Sequence, residues 1–235
     1  MTTADIMQQL ASLGSETTKN TFLKHGAREP FFGVKVGDLK PIQKKLKKNH
    51  TLAMELFATG NSDAMYLAGL IADEKAMTKE DLQLWAEQAY WYMISEYTVA
   101  WVAAESPYGF ELAKEWIQSD NERLATAGWA TLSNLGGIKP DNELDLDYLS
   151  QLLDHVQQNI HNSPNRVRYT MNSFVIAMGA FVPALTDKAK AVAAAIGKVE
   201  VYMGETSCKV PVALPYIEKV EKMGRHGKKK KMARC

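Results

Sequence analysis

Apolar residues recur every three to four positions along almost the whole chain, the spacing that puts one face of an α-helix against a core. Ile6, Leu10 and Leu13 mark a first helix over 3–13, stopped by Gly14, and a second runs over 16–25 to Gly26. Residues 28–33, with Pro30 and Gly33, read as a loop. Val36, Leu39, Ile42 and Leu46 then predict a helix with a lysine-covered outer face and Pro41 in its first turn. Further helices are expected over 52–57, over 65–72 with Ser62 as N-cap, from Thr78 through Trp85 to Tyr92, and over 98–104, 110–118 and 122–135. The run Gly136-Gly137-Ile138-Lys139-Pro140 reads as a breaker, followed by helices over 146–160, 166–180, 188–196 and 211–223. Strand alternation is absent, although Val199–Met203 could form a short extended piece. About a dozen short helices joined by short loops predict an all-α chain of stacked antiparallel pairs, a HEAT-like α-solenoid. Such pairs bury their apolar faces only against neighbours, so residues 1–224 are expected to form one domain. An irregular helical bundle is the competing architecture.

Composition narrows the class. The chain has 235 residues, is 46% apolar and 23% charged, and is therefore able to bury a core. Two cysteines point to a reduced, cytoplasmic setting; neither a signal peptide nor a bilayer-length apolar run is present, so no membrane association is expected. A net charge of +1 conceals a segregation: residues 19–48 hold nine Lys/Arg against two acids, and residues 225–235 hold six against none. That pattern suggests a polyanion partner, with a solvated helix face and a solubilising tail as the plain alternative. The tail, with Lys228, Lys229, Lys230 and Lys231, is expected to be flexible and to adhere to phosphate backbones.

Motifs for other chemistries are missing. Neither HExxH nor CxxC occurs, and Cys208, His226 and Cys235 are too scattered for a zinc site; one buried and one exposed terminal cysteine is the simpler reading, with no metal or cofactor. Phosphate-loop, dinucleotide and GxSxG motifs are also absent. Trp85, Tyr90, Trp91, Tyr92, Tyr97 and Trp101 instead cluster within seventeen residues. Trp85 and Trp116 suit a core, whereas rings beside a basic groove could stack on bases or sugars. Arg123, Arg166 and Arg168 fall near helix N-termini, where guanidinium and backbone N–H groups can jointly hold phosphate, unless local carboxylates pair with them.

The order of features resembles the AlkD-like DNA alkylation repair family. The stretch Phe31-Phe32-Gly33-Val34-Lys35-Val36-Gly37-Asp38-Leu39-Lys40-Pro41-Ile42 is similar to that family's early signature, and the TKED helix start at Thr78, Trp116–Ser119, Thr126-Ala127 and the ending from Cys208 follow in family order. The resemblance implies a HEAT-like superhelix and excision of cationic alkylpurines such as 3-methyladenine and 7-methylguanine. It also implies a carboxylate and an arginine in the groove, with aromatic rings around the sugar. Here the acid position falls on Ala100, the arginine position on Ala125 with Arg123 nearby, and a third-helix Trp position on Phe174. Alanine supplies no negative charge to a developing oxocarbenium. Glu96, one α-turn before Ala100, is the candidate displaced acid. The expectation is a monomeric DNA-binding protein with weak or no glycosylase activity. Phosphate contacts are expected from Lys35, Lys40, Arg123, Arg166, Arg168 and the tail lysines, and groove aromatics from Tyr97, Trp101 and Phe174. An active glycosylase using Glu96 and a protein-binding solenoid are the alternatives.

Overall fold

The computed structural model describes residues 1–234 and, among them, contains helices and loops but no strand. Thirteen α-helices are described: α1 (Thr3–Leu13), α2 (Glu16–Lys24), α3 (Val36–Leu46), α4 (His50–Ala58), α5 (Ser62–Ile71), α6 (Lys79–Gln88), α7 (Ala100–Glu105), α8 (Gly109–Trp116), α9 (Glu122–Ile138), α10 (Leu146–Asn159), α11 (Asn165–Phe181), α12 (Thr186–Ile196) and α13 (Ala213–Lys222). A π-helix over Met93–Val99 leads directly into α7.

Most helices begin where a short polar side chain can take the first orphan amides. Thr2 and Thr78 close capping boxes with Asp5 and Asp81, and Ser15, Asn49, Asn121 and Asp145 cap α2, α4, α9 and α10. The cap of α5 is Asn61 rather than Ser62, because the Asn61 Oδ1 reaches the amides of both Asp63 and Ala64 at 3.1 and 3.3 Å. Pro41 sits in the second turn of α3, not the first. Residues 136–138 remain helical and the break comes at Lys139-Pro140. There Gly136 admits Met178 from α11, whose Cε would stand 2.3 Å from an added Cβ.

Contacts run from neighbour to neighbour: α4 on α5, α5 on the π-helix, α7 and α8 on α9, α9 on α11, and α11 on α12 and α13. One core of Leu, Ile, Val, Ala and aromatic side chains follows this row from Ile6 to Ile217. Trp85 stacks on Phe57 with ring centroids 4.0 Å apart, and Trp116, the last residue of α8, is buried.

The Phe31–Val34 loop is held by a buried carboxylate. Asp63, in the first turn of α5, accepts the amides of Phe32, Gly33 and Val34 at 2.5, 3.1 and 3.1 Å. Burial pushes its carboxyl above the usual carboxylate range against the pull of those donors. Asp63→Ala would strand three amides and is expected to cost about 2–3 kcal/mol, with Asp63→Asn costing less, by urea unfolding.

The basic tail is not a free appendage, as the sequence suggested. Gly227 donates its amide to Ala180 O at 2.9 Å, and His226 Nε2 is 2.7 Å from Thr186 Oγ1. Lys230 donates its amide to Gly137 O at 2.8 Å and sets its ammonium 5.1 Å from the Phe181 ring centroid. Lys229 pairs with Asp141 at 2.7 Å, and Ala233 and Arg234 are buried. Backbone acceptors on α9 and α11 therefore hold the segment that composition alone marks as solvated. Cys208 is exposed, against the expectation of a buried thiol, and Cys235 lies outside the described residues.

Candidate functional site

A cavity of about 560 Å³ opens between the C-terminus of α2, the Tyr90–Tyr92 turn, the π-helix, and the N-termini of α9 and α11. Segment 197–212, expected to include an extended piece, is irregular and spans the mouth. Its Glu205 amide donates to Lys24 O at 3.1 Å, and at its other side the Tyr202 amide donates to Asn165 Oδ1 at 2.7 Å. Gly204 makes the first of these contacts possible: its φ is +78° and an added Cβ would fall 2.0 Å from Lys24 O.

The cavity wall is organised by one ion pair. The π-helix carries Glu96 inward, where Arg166 from α11 grips it with both arms, Nε to Oε1 at 2.8 Å and Nη2 to Oε2 at 2.5 Å. The guanidinium lies between two rings, 4.3 Å from the Tyr92 centroid and 4.4 Å from that of Tyr169. Burial pushes the Glu96 carboxyl up to about 7, opposed by the hydrogen bond and charge of Arg166. Burial likewise raises the Tyr92 phenol to about 12 and raises Tyr97. Glu122, the N1 residue of α9, accepts the Arg166 amide at 2.6 Å. Arg123 beside it is exposed at the rim and has no ion-pair partner among the described residues.

The structure separates residues that the sequence pattern grouped. Ala100 is fully buried and does not line the cavity, although an α-helical turn would align it with Glu96. Glu96 belongs to the π-helix Met93–Val99, whereas Ala100 opens α7 and faces the core. Ala125 is buried too, while Arg123 and Thr126 on either side reach the wall. Phe174 is not a groove aromatic: it is 0% exposed and packs edge-on against Trp129. Trp101 is also buried, between Tyr66 and Tyr97, because α7 turns it into the core. The rings that do line the cavity are Tyr90, Trp91, Tyr92 and Tyr202. The first three belong to the aromatic cluster, but spacing could not say which of its members face outward.

Among the expected phosphate contacts, Arg166 is occupied by Glu96. Arg168 donates to Asn165 Oδ1 at 3.3 Å, and Lys35 is exposed at the start of α3. Lys40 lines a different groove, beyond α5. No group of three or more His, Cys, Asp or Glu suited to a metal occurs among the described residues. No single described helix is long and apolar enough to cross a membrane.

Stacked helix pairs that enclose a cavity lined by aromatic and charged side chains define an α-helical repeat protein. A family model described as "DNA alkylation repair enzyme" matches residues 6–207, and the chain belongs to that family. A solved structure aligns over 100% of both chains with a TM-score of 0.91 and 41% identity. It is described as "a new family of proteins related to the HEAT-like repeat DNA glycosylases with affinity for branched DNA structures". The architecture is accordingly the HEAT-like repeat superhelix. Two Listeria proteins described as uncharacterized are also similar. Lin0241 of Listeria innocua is 35% identical and Lmo0209 of Listeria monocytogenes 34%, each over 90% of this chain and 93% of the relative.

Proposed function

We propose that this protein binds branched DNA through its phosphate backbone and does not excise bases. The observation that carries the second half is the state of the carboxylates around the cavity. Glu96, the candidate displaced acid, is held by both arms of Arg166, and the acid position of the family falls on the buried Ala100. Excision of a cationic base gains from a carboxylate that is free to face the sugar as positive charge develops. A carboxylate already paired to a guanidinium contributes little extra as that charge forms, because its field is largely cancelled.

The DNA reading is supported by the family and by the 41%-identical neighbour described as having affinity for branched DNA. With segment 197–212 across its mouth, the cavity suits a nucleoside-sized group rather than a duplex, so contacts fall on its rim. Arg123 and Lys24 are exposed there, and both are suited to phosphates. The test incubates the protein with methylated DNA and, separately, titrates it with a four-way junction and a linear duplex at two salt concentrations. Release of 7-methylguanine is expected to equal that of the protein-free control. Junction binding is expected to be tighter than duplex binding and to weaken steeply with salt. Enzymatic release that is lost in Glu96→Gln would overturn the non-catalytic reading, and salt-insensitive or absent binding would overturn the DNA reading.

A further inference from the structure

A cationic groove lies at the far end of the helical rod formed by the π-helix and α7. The first cavity touches the start of that rod, at Ser95 and Glu96, and the second touches its end, at Glu105. The second groove also has a volume of about 560 Å³ and is lined by α3, the C-terminal end of α5 and the tail. Lys40, Lys44, Lys47, Lys48 and Lys231 surround it.

The acids within it are already neutralised. Arg234, on the floor, pairs with Glu74 at 2.6 Å and Glu105 at 2.9 Å, and Lys48 also pairs with Glu74 at 2.5 Å. Lys40, Lys44, Lys47 and Lys231 have no carboxylate in ion-pair range among the described residues. Lys40 and Lys44 stand four residues apart on one face of α3, where like charges repel, and Lys47 follows as its C-cap. Lys47 adds an independent observation. It ends α3 at φ 57°, ψ −152°, a conformation that belongs to glycine, and its peers with positive φ among the described residues are all glycines. A lysine at that backbone position, beside two others that repel it, fits a surface completed by an anion.

We infer that this groove is a second phosphate-backbone site, one that holds a separate arm of a branched nucleic acid. Lys40 to Lys47 extends along roughly 10 Å of helix, which presents a row of charges suited to successive phosphates rather than to one isolated ion. With Lys24 and Arg123 at one end of the rod and the lysine row at the other, the protein can contact two arms that diverge from a junction. This inference rests on the DNA-binding reading above and adds the surface by which branches are told from linear duplex.

The test compares wild type with the triple variant Lys40→Ala, Lys44→Ala, Lys47→Ala, all at exposed positions. Salt titrations on a four-way junction and on linear duplex accompany lysine acetylation footprints with and without DNA. The junction should protect Lys40, Lys44 and Lys47 of wild type, with exposed Lys222 as the unprotected reference. The triple variant should bind the junction roughly tenfold or more weakly, and duplex binding should change little. Its salt slope on the junction should fall by about 0.9 for each phosphate that the variant no longer neutralises. Wild-type junction binding with these lysines unprotected and the slope unchanged in the variant would overturn the second site and leave the DNA reading intact. Absence of DNA binding by wild type would overturn both. Protection by polyglutamate but not by DNA would overturn this inference in favour of an acidic protein partner.

Discussion

Arg166→Ala should lower the unfolding free energy by about 3–5 kcal/mol at pH 8.5, among the largest losses from any single side chain near the cavity. The guanidinium makes both bonds to a carboxylate whose side chain is 4% exposed, and fills the gap between Tyr92 and Tyr169. Its removal leaves a buried anion without a cation, and the loss should depend on pH. Burial has already raised the folded-state Glu96 value to about 7, above its ordinary 4.5, so the folded protein holds this proton more tightly than the unfolded chain. The stability linked to that proton is fully present below about pH 4.5 and is lost as pH rises through about 7. Removing the cation that favours ionisation raises the carboxyl further and extends the decline to higher pH. The gap between wild type and variant should therefore widen above pH 7, by up to about 1.4 kcal/mol per unit. Urea unfolding at pH 6 and 8.5 reads this directly, and an equal loss at both would contradict it. Arg166→Lys should restore little, since an ammonium can neither fork onto both oxygens nor stack between two rings.

Arg166 was legible in the sequence as an important cation beside an N-terminal turn, but not as a partner of Glu96. The two are 70 positions apart, and nothing local announces the pair. The fold itself was far more legible, because helical periodicity, Thr78 with Asp81, and the Pro30–Gly33 loop are short-range signals. Errors came where a long-range contact overrode a local preference. Gly136-Gly137 reads as a break but serves the close packing of α9 on α11. Phe174 occupies a position where the family resemblance places a groove ring, yet it completes the core against Trp129. The π-helix had no visible signature, and it places Glu96 and Ala100 in different elements. That displacement bears on function: a resemblance aligned residue by residue assumes α-helical phase, and over Met93–Val99 the phase differs.

Arg234→Ala is expected to destabilise the protein by a similar amount, about 3–5 kcal/mol, even though it lies in a segment that composition would dismiss as solvent-borne. Its Nη2 bonds both Glu74 and Glu105, while Nη1 faces the carbonyls of Gly69, Leu70 and Ala72 at 3.2–3.4 Å. Those carbonyls belong to the last turn of α5, whose final acceptors have no intrahelical donors. One side chain therefore caps a core helix, neutralises two carboxylates and pins the tail across the chain. Truncation at Cβ leaves Glu105 without a cation and Glu74 with Lys48 alone. Although burial works against its ionisation, Lys48 and Arg234 hold the Glu74 carboxyl below the usual range. That contribution is present above the ordinary value of 4.5 and is lost as pH falls through the depressed one. The loss caused by Arg234→Ala should therefore be largest near neutral pH and shrink in acid, opposite in sense to Arg166→Ala. Adding Glu105→Gln to Arg234→Ala should recover part of the stability, because the second change removes the charge that the first left unpaired. A tail that contributed only solubility would show no coupling between residues 129 positions apart, and the double-mutant cycle separates the two cases.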